Sequence, residues 1–467
     1  MDFVDRDAEL ARLARVGTAD DGGLVVVWGR RRVGKTRLLL EWVKREGGLY
    51  WVADESSPST QRRYLASVVA ERFPGFADVD YPDWASLFVR LTHESKAAGF
   101  RGPVVVDELP YAVASSPELP SVLQRVVDHE AKAARLLLAL SGSSQRMMQE
   151  LTLSRSAPLY GRAREAFKLE PIPAGHLGAA LGIRDPRRAL ESYACWGGIP
   201  RYWELARAFD DTPSAVDALV LDPRGPLHDE PARLLLEETP SAVSLRPLLD
   251  AIGAGAHRPS EIAGRIGQPA TSLSHPLARL QELDLVIRET PFGAPERSGK
   301  RALYKLSDPF LRLWFSVVAP RRSWLLQATP KARRRLMSER FPHLLAATWE
   351  DLCRRAVPLL GERLGGLDFG PARRFWLGQG PEWDVVASTD TENAILLGEA
   401  KWLARDPTTS ELSAIVHGLV AKGIPPTARA NAEVHHAVFV PTLPRGARRS
   451  MGNVHLVDAA TLLDVLR

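Results

Sequence analysis

Short apolar runs and longer amphipathic stretches take turns along the first third of the chain. Leu24–Trp28 is apolar throughout and bounded by glycines, and from Thr36 to Lys44 the apolar positions recur every three to four residues. Leu49–Ala53, Val104–Val106 and Leu136–Leu140 are further runs of strand length. Helical patterns over Gln61–Arg72, Trp84–Ala98 and Ser121–Ala134 separate them. Fully apolar strands alternating with amphipathic helices predict an α/β domain, over residues 1–173, whose parallel sheet is covered on both faces.

Beyond this point the pattern changes three times. Over 174–243 the strand signal fades and helical periodicity, as in Arg187–Tyr193 and Ser214–Leu221, predicts a helical lid. Over 244–307 three short helical patterns (Leu245–Ile252, Ser260–Ile266, Ala270–Leu283) lead into Val286–Glu289, a polar loop and Ala302–Leu306, which is the order of a winged helix. Gly267 would mark the turn, and Thr271, Ser272, Ser274, His275 and Arg279 would face a groove. Arg297, Lys300 and Arg301 in the wing would touch phosphate. Because the helix face carries few bases, contact with protein or with nucleotide stays open as the other reading. A helical connector, 308–345, carries the basic stretches Arg321-Arg322 and Lys331–Arg335. Residues 346–467 begin with a helix and continue with strand candidates near Phe375–Leu377, Asp384–Ala387, Ala394–Leu397 and Ala437–Val440, a compact α/β terminal domain.

Composition narrows the class. With 467 residues, 45% hydrophobic and 25% charged, the chain is long enough for several cores and too apolar for disorder. The net charge of +5 permits nucleic-acid binding without requiring it. Cys195 and Cys353 stand far apart with no partner motif, so neither a disulfide framework nor a zinc site is expected, and a reducing cytoplasm fits. No apolar run approaches the roughly 20 residues of a membrane helix, and the acidic N-terminus lacks the pattern of a signal peptide.

The chemistry begins at Gly29-Arg30-Arg31-Arg32-Val33-Gly34-Lys35-Thr36, a G-x-x-x-x-G-K-[ST] loop placed between an apolar strand and a helix. Backbone amides around Gly29, Arg32, Val33 and Gly34, with Lys35, Thr36 and Arg37 opening the helix, make a cradle for the phosphates of ATP or ADP, and Thr36 can ligand Mg²⁺. Asp107 and Glu108 end the run Val104–Val106: Asp107 suits the Mg²⁺ shell and Glu108 the polarisation of the attacking water. The run Leu136–Leu140 ends in Ser141-Gly142-Ser143-Ser144, where one of the serines, Ser143 among them, can sense the γ-phosphate and simple turn chemistry is the alternative.

Further on, Glu382-Trp383-Asp384 precedes Glu399-Ala400-Lys401, with Asp384 and Glu399 fifteen positions apart. This D…ExK pattern matches restriction-enzyme-like nucleases, in which carboxylates bind Mg²⁺ against the scissile phosphate and the lysine orients water. Glu350, on the preceding helix, would complete the metal shell, and strand alternation puts Glu399 and Lys401 on one face.

Taken with Val104–Val113, Pro158–Arg162, Gly197–Tyr202, Asp308–Phe315 and Trp383–Trp402, these motifs resemble the prokaryotic and archaeal ATPases with a C-terminal nuclease-like domain of unknown function, relatives of the STAND and origin-recognition branches of the AAA+ ATPases. The resemblance spans nearly the whole chain. It implies a nucleotide domain, a helical lid, a winged helix and a restriction-endonuclease-like domain. It also implies that Phe3–Asp7 packs on the nucleotide base, where Asp5 or Asp7 as a plain helix cap is the alternative. Arg162 and Arg164 are placed either to reach a phosphate or to pair with surface carboxylates. Two functions follow: an ATPase acting on DNA through the winged helix and the nuclease-like domain, or a STAND-like switch signalling to protein partners or to its own copies with that domain inactive.

Overall fold

The computed structural model describes residues 3–18, 21–238, 244–295, 301–429, 431–444, 446 and 448–467. It divides into two compact units, the first centred on Phe3–Pro171 and the second on the chain from Ile172 onward.

In the first unit β1 (Gly23–Trp28), β2 (Leu49–Val52), β3 (Pro103–Asp107), β4 (Leu137–Gly142) and β5 (Ala163–Lys168) form one sheet in the order β2-β3-β4-β1-β5. Every pairing is parallel. Alternate residues of β1 serve opposite faces: Val25 and Val27 pack with Leu38, Leu39 and Trp42 on one side, and Leu24 and Val26 with Trp84, Leu87 and Phe88 on the other. Burial on both faces explains why β1 is apolar throughout and why β3 and β4 are apolar up to Asp107 and Ser141 at their C-terminal ends. β5 was not expected: its residues Ala-Arg-Glu-Ala-Phe-Lys include three charges and neither the apolar run nor the strict alternation that marks a strand. It is an edge strand, half-exposed, and its charges suit that position.

Helices dominate the second unit up to residue 282, including Pro186–Trp196 and Pro200–Ala206. The helices Arg246–Gly253, Pro259–Ile266 and Ser274–Glu282 then precede an antiparallel hairpin of β6 (Val286–Glu289) and β7 (Leu303–Leu306), the expected order. Gly267 closes the second helix in the left-handed conformation at φ 68°. The third begins later than expected, after a 3₁₀ turn at Ala270–Leu273. Thr271, Ser272, Ser274 and His275 are exposed, whereas Arg279 is largely buried and paired with Glu282 at 2.8 Å. Of the basic wing residues, Arg297 and Lys300 lie outside the described residues and Arg301 is exposed.

Helix Pro330–Leu360 runs through the boundary expected at 345/346, so connector and terminal domain share one element. The terminal sheet is mixed, in the order β12-β13-β11-β10-β9-β8, with β8 Arg373–Phe375, β9 Trp383–Ser388, β10 Ala394–Ala400, β11 Glu433–Phe439, β12 Ser450–Met451 and β13 Val454–Val457. The segment after β6 is fastened to it. The Phe292 amide donates to the Arg374 carbonyl at 2.8 Å, and the Phe292 ring packs against the core of this sheet.

Candidate functional site

β1 delivers the chain into the phosphate loop, and the loop needs backbone that few residues accept. Gly29 has φ 150°, and a Cβ there would stand 2.6 Å from the Leu169 carbonyl. Arg32 at φ 67° and Gly34 at φ 102° complete a run of left-handed turns, which curls the amides of the loop into an anion-binding nest. Val33 and Lys35 are buried, Thr36 is exposed and Arg37 is half-buried in the first turn of the helix Lys35–Glu46. The Lys35 ammonium lies inside the loop, donating to the carbonyls of Gly29 at 2.9 Å and Arg30 at 3.3 Å.

At the end of β3 the Asp107 carboxylate, 1% exposed, is held on three sides. Thr36 Oγ1 donates to its Oδ2 at 3.0 Å, the Tyr50 hydroxyl to the same oxygen at 2.5 Å, and the Glu108 amide to Oδ1 at 3.0 Å. Burial first, and the Asp107 charge second, push the Tyr50 phenol far above its ordinary range, so it stays a donor. Glu108 sits at φ 53°, a conformation costing a non-glycine residue about 1–3 kcal/mol. Its Oε2 accepts from the Ser143 amide at 3.1 Å and the Ser143 hydroxyl at 2.9 Å. Of the other two serines, Ser141 is fully buried and Ser144 caps the helix Gln145–Met148.

Thr36 and Asp107 thus present hard oxygen donors on one another's doorstep, a set that fits Mg²⁺. Arg6 is a residue the sequence did not disclose. It is 4% exposed at φ 81°, and its guanidinium ties the N-terminal segment to the loop through the carbonyls of Val33 at 3.0 Å and Glu170 at 2.7 Å. Arg6 itself occupies the cap position of the helix Asp7–Gly17 without a side-chain bond, so neither Asp5 nor Asp7 caps it. Arg162 binds both oxygens of Asp128, at 2.8 and 2.9 Å, and Arg164 pairs with Asp21. Both arginines therefore serve surface carboxylates.

The second cluster lies on β9 and β10. Asp384 Oδ2 accepts the Ala400 amide at 3.0 Å, which ties the two strands together beside Glu399. Burial and the Glu399 charge raise the Asp384 pKa. Burial and the Asp384 charge do the same to Glu350. Lys401 Nζ meets Glu399 Oε1 at 2.8 Å; burial acts to lower its pKa, but Glu399 together with the Asp384 and Glu350 charges raises it. Lys422, just past the helix Thr409–Ala421, takes the other oxygen of Glu399 and donates to the Glu382 carbonyl at 2.7 Å. Arg354 bridges the carboxylates of Glu350 at 3.6 Å and Asp351 at 2.5 Å and the Asp384 carbonyl at 2.9 Å. With both Glu399 oxygens on ammonium groups, Glu350, Asp384 and Glu399 make no ready cation shell. Among the described residues no group of three or more His, Cys, Asp or Glu side chains is placed to hold a metal ion. Arg354 was legible as the i+4 partner of Glu350. Lys422 carried no local signal.

A parallel sheet with a phosphate loop after β1 and an acidic pair at the end of β3 defines a P-loop ATPase. Residues 3–177 match the model of a family described as an ATPase domain predominantly from Archaea, and residues 314–412 match that of archaeal and bacterial proteins of unknown function. An uncharacterized protein of Methanocaldococcus jannaschii is 27% identical over 409 residues, 86% of this chain and 87% of its own length. A Walker-type ATPase of Pyrococcus abyssi superposes with a TM-score of 0.50 at 20% identity, covering 67% of this chain and 96% of that one. The Aeropyrum pernix ORC2 protein superposes with a TM-score of 0.43 at 14% identity, covering 72% and 94%. The chain carries an ATPase domain, and no helix among the described residues is long and apolar enough to cross a membrane.

Proposed function

We propose that ATP binds with Mg²⁺ at residues 29–37, its phosphates held by the amides of Gly29, Arg32, Val33 and Gly34 and by Lys35, Thr36 and Arg37. Thr36 and Asp107 hold the cation, which when bound neutralises charge on the phosphate oxygens. Glu108 orients the attacking water, and Ser143 couples the position of Glu108 to the γ-phosphate. The observation that carries this reading is the 3.0 Å bond from Thr36 to Asp107, which joins loop and acidic strand end in one site.

We further propose that nucleotide state is relayed to a nucleic acid bound by the winged-helix-like module and by Asp384, Glu399 and Lys401. A specific observation favours the second reading, a regulatory ATPase whose terminal domain binds without cutting: both oxygens of Glu399 are engaged by Lys401 and Lys422. Mg²⁺-dependent ATP hydrolysis and plasmid cleavage by wild type, Lys35→Ala, Glu108→Gln and Asp384→Ala separate the cases. Hydrolysis should fall about a hundredfold or more in Lys35→Ala and Glu108→Gln. Cleavage lost in Asp384→Ala would support the cutting enzyme. Hydrolysis without cleavage in any variant supports the regulatory ATPase, and hydrolysis undiminished in Glu108→Gln would remove Glu108 from the role given to it.

A further inference from the structure

A cleft of about 790 Å³ opens within the second unit, among the helix–hairpin module, the segment 312–321 and the helix Pro330–Leu360. On that helix Arg340, His343, Ala347 and Glu350 line it, three or four positions apart, so a single helical face supplies them. The small side chains at Ala346 and Ala347 leave the space. The volume falls within the roughly 300–1,000 Å³ that small-molecule ligands fill.

Its charge is one-sided. Lys305, Arg312, Arg321, Arg340 and Arg374 face the cleft against Glu350 and Asp351. Three of these bases are already matched: Lys305 and Arg374 to Glu289 at 2.7 and 3.6 Å, and Arg312 to Asp351. Arg321 is half-buried, its guanidinium donating to the Ser316 carbonyl at the long distance of 3.5 Å, and Arg340 is exposed. These two can turn to a ligand without breaking an ion pair in the wall. Ile252, Leu306 and Leu344, all buried, supply an apolar floor. Guanidinium groups over an apolar floor suit a ligand with phosphate at one end and a flat, weakly polar body at the other.

We propose that this cleft is a second nucleotide-class site, taking a short 5′-phosphorylated nucleotide with Arg321 and Arg340 on the phosphate and the base against Ile252, Leu306 and Leu344. The ligand is a free nucleotide or the end of a single strand, which present the same chemistry. The inference stands on the cleft and does not depend on cleavage by the β9–β10 cluster.

Fluorescence anisotropy on the full chain carrying Lys35→Ala, which disables the phosphate loop, tests it. The probes are a labelled 5′-phosphorylated dinucleotide and a labelled single strand of about twelve nucleotides. Saturable binding is expected, weakened about tenfold or more by Arg321→Ala with Arg340→Ala, and losing about 0.7 of salt slope for each contact removed. Ala347→Leu, which fills the cleft and leaves the charge, should weaken it as well. Equal affinity for the two probes supports a free nucleotide, and a preference for the longer one supports a strand end. No saturable binding of either probe, or affinity untouched by both the double substitution and Ala347→Leu, overturns the proposal.

Discussion

Burial and the Glu399 charge raise the Asp384 pKa, and that shift has a thermodynamic sign. A carboxyl whose folded pKa exceeds its unfolded value binds more protons when folded, so its ionisation costs stability. That cost is complete above the folded pKa and vanishes as pH falls through the folded value to the ordinary carboxylate range. Asp384→Asn keeps an acceptor for the Ala400 amide and removes the charge. It should raise the melting temperature of the second unit by a few degrees at pH 8, with the gain shrinking on acidification. A pH series of calorimetric scans reads this, and equal melting temperatures at pH 8 would count against it. Residues of this kind divide by how local their partners are. Lys35, Thr36 and Asp107 were legible because a contiguous motif places them. Tyr50 and Lys422 were not, since each meets its partners from another element, and of the partners of Arg6 only Glu9, three residues on, is local.

The helix Pro330–Leu360 shows the same division for an element. Within its basic stretch Lys331–Arg335 the charges are not equivalent: Arg333 is 7% exposed and bound to Asp217 at 2.6 Å and Asp222 at 3.2 Å. Arg334, next to it, is 59% exposed on its side chain. Arg333→Ala leaves the buried Asp217 with only the long 3.7 Å pairing to Arg334 and should cost about 3 kcal/mol, or roughly 5–10 °C in melting temperature. Arg334→Ala should cost less than about 0.5 kcal/mol. Thermal scans giving equal losses would show that burial does not distinguish the two. β5 and the segment after β6 make the parallel point: a charged edge strand lacks the apolar run that betrayed β1, β3 and β4, and the docking of Phe292 on the terminal sheet is fixed by a partner more than eighty residues away.

For the whole molecule, nucleotide binds one compact unit, so its stabilisation belongs to that unit. A ligand that binds only the folded form contributes about 2.7 kcal/mol at a hundred times its Kd. ATP with Mg²⁺ should therefore raise the thermal transition of the unit centred on Phe3–Pro171 in differential scanning calorimetry, and Lys35→Ala should abolish the shift. A shift that survives Lys35→Ala would place the nucleotide elsewhere.

The sequence by itself determined the ATPase class, because a phosphate cradle needs glycines, a lysine and a hydroxyl at fixed spacing between a buried strand and a helix. It also determined the order of helices and hairpin and the shared strand face of Glu399 and Lys401, since periodicity and strand alternation are local. Tertiary structure alone decided what each charge does. Arg162, Arg164 and Arg333 found carboxylates distant in the chain, Ser143 closed on Glu108, and Lys422 came to Glu399 from a helix on the far side of a loop. The chain pattern states that a side chain is charged. Only packing fixes which opposite charge reaches it, and the low dielectric around a buried pair makes that choice strong.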